Sequence, residues 1–158
     1  DTGSPDDGGT SGAGALNSSQ SIAVQYTAID GLNIYAGTGE KGTGTSEDDV
    51  DTYGVKYAFG PLTVGVQRTD IDVGNSTADL ETTAFGVAFA VNDNLSISYG
   101  ESETEEGGST TDQELSGFSI GYSMGGMTVK AHQNKGEGIA NTAANESEHT
   151  EIAISFAF

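Results

Sequence analysis

Ile152-Ala153-Ile154-Ser155-Phe156-Ala157-Phe158 closes the chain by alternating large apolar residues with small ones, the period of a β-strand. Four earlier stretches follow the same template, with Ile22, Val24 and Tyr26; Tyr53, Val55 and Tyr57; Phe85, Val87 and Phe89; and Phe118, Ile120 and Tyr122 as the large positions. Every copy carries an aromatic at its fifth place. The copies begin at 22, 53, 85, 118 and 152, so the spacings run 31, 32, 33 and 34 residues. A strand in an aqueous core also alternates, but it has no reason to keep its second face so uniformly Gly, Ala and Ser. A transmembrane β-barrel explains both faces, with apolar and aromatic residues toward lipid and small or polar residues toward a wet lumen.

Between the copies lies a second series of alternating runs, at 32–35, 62–66, 95–99 and 127–131. Each begins just after a short turn signal: Asp30-Gly31, Gly60-Pro61, Asn92-Asp93-Asn94 and Gly125-Gly126. Such pairs accept the positive φ angles of tight hairpin loops. The other ends run into long polar connections, roughly 41–50, 70–80, 101–113 and 133–147. Short turns on one side and long loops on the other fit outer-membrane barrels. The repeat is a hairpin, and the 3.6-residue period of a helical repeat is absent.

Composition bounds the alternatives. The chain has 158 residues, 34% hydrophobic, and no run near the ~18–20 apolar residues that a membrane helix needs. Closed barrels cross membranes at such low mean hydropathy because their backbone groups pair between strands. There is no cysteine, so disulfides and thiolate metal sites are excluded. Residues 1–18 are rich in Gly, Ser, Asp and Thr and read as a flexible external loop segment, with the strands in 19–158.

The net charge of −19 excludes a nucleic-acid partner. Of 24 acidic residues only Asp30 and Asp93 sit on the tight-turn side. The remainder crowd the opposite rim, where they keep loops soluble and can act as a funnel for cations. Glu47, Asp48, Asp49 and Asp51 could hold Ca²⁺ loosely through carboxylate oxygens; no other cofactor is expected. Strand parity sends Lys56, Gln67, Lys130, His132 and Glu151 to the lumen. Arg68 shares the lipid parity but lies toward the loop rim, where a charge costs little. Tyr53, Phe85 and Phe118 stand seven residues before their turns, and Tyr57, Phe89 and Tyr122 three before, as two interfacial girdles.

Patterns that often carry chemistry are discounted here. Gly121-Tyr122-Ser123-Met124-Gly125 has the form of a nucleophile elbow but is followed by a strand and not a helix. Gly37-Thr38-Gly39-Glu40-Lys41-Gly42 likewise has no helix to present to a pyrophosphate. His132 and His149 read as lumen histidines, since no local carboxylate spacing marks a zinc site.

The terminal residues 151–158 resemble the C-terminal signal of Gram-negative outer-membrane proteins, which end in phenylalanine. The hairpins, exemplified by Phe89-Ala90-Val91-Asn92-Asp93-Asn94-Leu95-Ser96-Ile97-Ser98-Tyr99-Gly100, are similar to the C-terminal part of general porins of the alphaproteobacterial type. That resemblance covers about 19–158. It implies a sixteen-stranded barrel, a homotrimer in contact with outer-membrane lipid and lipopolysaccharide, and a constricting loop in the N-terminal half of the family sequence. Nine strands are an odd number, so the first and last are expected to pair with polypeptide outside this sequence, the missing N-terminal part of the same barrel. The expected function is a passive, cation-preferring diffusion channel for small hydrophilic solutes, with no enzymatic step. The competing readings are a barrel anchor or translocator, and a secreted acidic β-rich adhesin.

Overall fold

The computed structural model describes residues 20–41, 48–74 and 78–157. They form nine strands: β1 (Gln20–Tyr26), β2 (Leu32–Lys41), β3 (Asp48–Phe59), β4 (Leu62–Val73), β5 (Leu80–Asn92), β6 (Leu95–Glu106), β7 (Gln113–Met124), β8 (Met127–Glu137) and β9 (Ser147–Phe156). Each pairs antiparallel with its sequence neighbours in one sheet of order β1 to β9, so among the described residues β1 and β9 are the two edges. The expected loop segment 1–18 and the terminal Phe158 lie outside the described residues.

The short turns fall where the sequence places them. Gly60 and Gly125 take φ of 55° and 59°, the left-handed region that lets a two-residue connection follow the twist of its strands, and Gly31, at 74°, closes the five-residue connection 27–31. At the fourth turn the Asn92 side chain accepts hydrogen bonds from the Asn94 and Leu95 amides at 2.9 and 3.0 Å, and a β-bulge lies between Ala90 and Asn92.

The long connections are shorter than the sequence indicates. Strands continue through Val73, Glu106 and Glu137 and begin again at Asp48, Leu80, Gln113 and Ser147, so much of the polar sequence is paired backbone. The 133–147 connection keeps a 3-10 turn at Ile139–Asn141, where Gln113 Oε1 accepts a hydrogen bond from the Ala140 amide at 3.2 Å.

Register carries a stagger. Following paired residues from Ile22 through Thr38 leads to Asp51, two residues short of the equivalent template position Tyr53. Tyr53 leads through Arg68 to Thr83, two short of Phe85; Phe85 through Glu101 to Ser116, two short of Phe118; Phe118 through Gln133 to Thr150, two short of Ile152. Two residues per hairpin is one per strand. A slip of ~3.3 Å along the strand for each ~4.8 Å step between strands inclines the strands by roughly 35°. Barrels need a tilt of about 35–45° and a constant stagger to close.

Candidate pore wall

Register sorts the side chains onto two faces of opposite chemistry. One face carries Ile34, Val55, Val66, Phe85, Val87, Tyr99, Phe118, Ile120 and Ile154, all connected through paired positions. The other carries Gly54, Gly65, Gly86, Gly100, Gly117, Ala84, Ala88, Ser98 and Ser119. Exposure runs opposite to a protein folded in water: Ile22, Phe59 and Ile152 are 69%, 70% and 69% exposed, whereas Gln67 and Ser102 are 8% and 4%. Val50 is the only buried hydrophobic among the described residues. Val50, Gln67, Thr69 and Ser102, all buried on the small-residue face, lie toward the middle of the sheet, where cross-strand neighbours crowd together. An apolar face of this size left to water would be prohibitive at ~25 cal/mol per Å², and lipid removes that cost.

On the small-residue face the polar groups satisfy one another across strands. Tyr35 donates to Gln67 Oε1 at 2.7 Å, and Gln67 Nε2 donates to Thr69 Oγ1 at 3.3 Å. Thr69 in turn pairs with Thr52, and the hydroxyls of Thr82 and Thr104 lie 3.0 Å apart, as those of Ser98 and Ser119 do at 2.7 Å. Lys56, Gln67, Lys130, His132 and Glu151 all fall on this face by register. Lys56 and Lys130 are each the fourth residue from their short turn, counted from Phe59 and Met127, so the two ammonium groups share a depth. Among the described residues Asp48 and Glu106 also take this parity, nearer the long-loop end.

The acidic residues are not arranged as a lumen funnel. Nine to eleven residues from the short turns, counted along each strand, the apolar face becomes acidic: Asp49, Asp51, Asp70, Asp72, Glu103, Glu105 and Glu114 all have outward parity. Nine residues tilted by roughly 35° span about 22 Å, close to the ~25 Å apolar band of outer-membrane barrels. Apart from Glu101, the seventh residue of β6, the outward acids of the described strands thus begin where the hydrocarbon ends. Arg68 lies at that border, with its Nε 3.1 Å from Asp70 Oδ1 and its guanidinium also on Glu81.

Of the residues expected to hold Ca²⁺, Glu47 lies outside the described residues. Asp48 faces one side of the sheet while Asp49 and Asp51 face the other, so the structure does not bring them together. What it does bring together is His132, His149 and Glu151. Sequence reasoning placed His132 and Glu151 on the same face but missed the convergence, because a long connection separates β8 from β9 and no tight turn fixes their register. The i, i+2 spacing of His149 and Glu151 was the available signal. Ser123 of the elbow-like pattern sits in β7, its hydroxyl 3.2 Å from Thr128 Oγ1, with β8 following.

A tilted sheet with one lipid-compatible and one hydrophilic face defines the wall of a transmembrane β-barrel. The family model of Gram-negative porins matches residues 1–131, and the chain belongs to that family. It is similar in structure to a multiply substituted variant of the Rh. blastica porin, at TM-score 0.62 and 21% identity, covering 93% of this chain and 48% of that one. It is also similar to the outer-membrane protein OmpT of Vibrio cholerae, at TM-score 0.57 and 18% identity, covering 86% and 55%. A trimer form of OmpT matches at TM-score 0.53 and 18% identity, covering 85% and 53%. The chain therefore spans about half the length of these solved structures. Curated proteins yield no match. Family and neighbours place the chain in the bacterial outer membrane.

Proposed function

We propose that these nine strands form part of the wall of a passive, water-filled channel for small hydrophilic solutes and ions, with no chemical step. The observation that carries this reading is the inversion of faces, with exposed apolar residues on one side and packed Ser, Thr, Gly and Gln on the other. Polypeptide beyond the described strands completes the barrel at the β1 and β9 edges, because unpaired edges in lipid are costly. The trimer form of OmpT supports a trimeric assembly here.

The selectivity reading is cation preference, strongest in dilute salt. Lys56 and Lys130 on the small-residue face are set against Asp48, Glu106 and Glu151, so the sign of the preference comes from the outer band of carboxylates. Their field reaches the mouth over the ~8–10 Å that screening allows. The same band faces the headgroup layer, where divalent cations would link it to lipopolysaccharide phosphates. Reversal potentials of the native protein across a KCl gradient test the reading. A cation-selective sign that fades as salt rises supports it, and an anion-selective sign overturns it.

A further inference from the structure

We propose that His132, His149 and Glu151 form a binding site for a zinc-class divalent metal ion on the small-residue face. His132 and Glu151 are directly opposite across the β8–β9 pair, and His149 stands two residues before Glu151 on the same face. His132 Nε2 lies 3.5 Å from Glu151 Oε2, and His149 Nε2 lies 3.6 Å from that same oxygen. All three ligand atoms lie within 4.8 Å of one another, with the imidazole centroids 6.5 Å apart.

Those spacings decide the chemistry. Ligands bonded at ~2.0–2.2 Å in a tetrahedron stand about 3.3–3.6 Å from one another. Both imidazole–carboxylate separations are within about 0.3 Å of that range, so only the gap between the two imidazoles has to close, by rotation about side-chain torsions. Two imidazoles and one carboxylate are a donor set that suits zinc and its transition-metal neighbours and disfavours the all-oxygen shell of Mg²⁺ or Ca²⁺. The side chains of His132, Glu151 and His149 are 34%, 53% and 65% exposed, which leaves water access to a fourth position.

A histidine–carboxylate ion pair is the simpler account of either contact alone. It does not account for two imidazoles aimed at one carboxylate oxygen. Lys130 lies on the same face one step nearer the short turns, opposite Ala153, and its charge weakens cation binding without occupying the site. Binding itself is independent of the channel reading; an effect of metal on ion flow rests on it.

The test is zinc titration of the native protein purified in detergent, with Mg²⁺ as the competing ion, for the wild type, His132→Ala, His149→Gln and His132→Ala/His149→Gln. One equivalent per chain is expected, with affinity at least ~10-fold weaker in each single variant, since removing even a supporting residue of a metal site costs about 10–100-fold. X-ray absorption at the zinc edge should report two imidazole nitrogens at about 2.0 Å. Because the His149 side chain is exposed and glutamine keeps a polar group on the water-facing side, its glutamine variant should retain heat-modifiable gel mobility. Zinc binding unchanged in the double variant, or displaced equally by Mg²⁺, overturns the site. In planar bilayers the same zinc concentration should lower single-channel conductance of the wild type and leave the double variant unaffected. Stoichiometric binding with no effect on conductance supports the site and instead counts against this face lining the channel.

Discussion

The phenol of Tyr35 lies across Gly54 and donates its proton to Gln67 Oε1 at 2.7 Å, bridging β2 to β4 over the intervening strand. A Cβ at position 54 would collide with the Tyr35 ring, so the glycine is what lets the ring lie flat on the sheet. The tyrosine covers a glycine that would otherwise weaken β3. Tyr35→Phe should lower stability by about 0.5–1.5 kcal/mol, the net worth of one hydrogen bond. Gly54→Val should cost more, roughly 1–3 kcal/mol, because it displaces the ring and leaves Gln67 without this donor. Unfolding in detergent, followed by circular dichroism against urea, would measure both; an unchanged Gly54→Val midpoint would show that Tyr35 has room elsewhere.

The two faces predict opposite outcomes for one substitution made at neighbouring positions. Val87 is on the apolar face between Val64 and Tyr99, and Ala88 is on the other face between Thr63 and Ser98. Val87→Arg places a charge against hydrocarbon and should destabilise by roughly 2–4 kcal/mol. Ala88→Arg should fold and insert with little loss while reducing single-channel conductance. Folding into lipid vesicles combined with bilayer recording separates them. Equal penalties for the pair would contradict the assignment of faces.

Why some of this was readable from sequence and some was not follows from where alternation survives. In the membrane band the two faces meet different solvents, so Ile22, Val24 and Tyr26 or Phe85, Val87 and Phe89 announce a strand unaided. Beyond it both faces meet water. Asp70, Ile71 and Asp72, or Glu103 to Glu106, lose the apolar–polar contrast and read as loop, although the backbone continues to pair. Tight turns transmit register from one strand to the next, which is why Lys56, Gln67 and Lys130 could be placed on one face by counting. Across the 133–147 connection counting fails, and the meeting of His132 with His149 and Glu151 became visible only once β8 and β9 were paired.

At the upper border of the apolar face, Arg68 separates two carboxylates that the register sets directly opposite each other, Asp70 and Glu81. Like charges paired across strands destabilise a sheet, and a cation between them reverses the sign. Arg68→Ala should therefore lower the thermal midpoint, most at low ionic strength, with the loss shrinking as salt screens the remaining pair. The companion variant Arg68→Ala/Glu81→Gln should recover much of the loss. A deficit in Arg68→Ala that persists undiminished at about 1 M salt would point to packing of the guanidinium stem in place of its charge.

Glu103 lies in the outer acidic band, directly opposite Glu114. Desolvation raises its pKa, with further upward pressure from Asp112, Glu105, Glu114 and Glu101. A carboxyl whose folded pKa stands above its unfolded value disfavours the folded state when ionised. Its favourable contribution is complete below the unfolded pKa and is lost as pH rises through the folded one. Acidification from neutrality should thus strengthen the β6–β7 extension, in a window just above the ordinary carboxylate range. Glu103→Gln removes the titration, so its thermal midpoint should exceed the wild type's at about pH 7 and converge with it by about pH 4. Midpoints measured across that interval for both proteins give the sign directly. A difference that stays constant with pH, or a variant less stable at neutrality, would mean that ionisation of Glu103 does not oppose the folded β6–β7 pair.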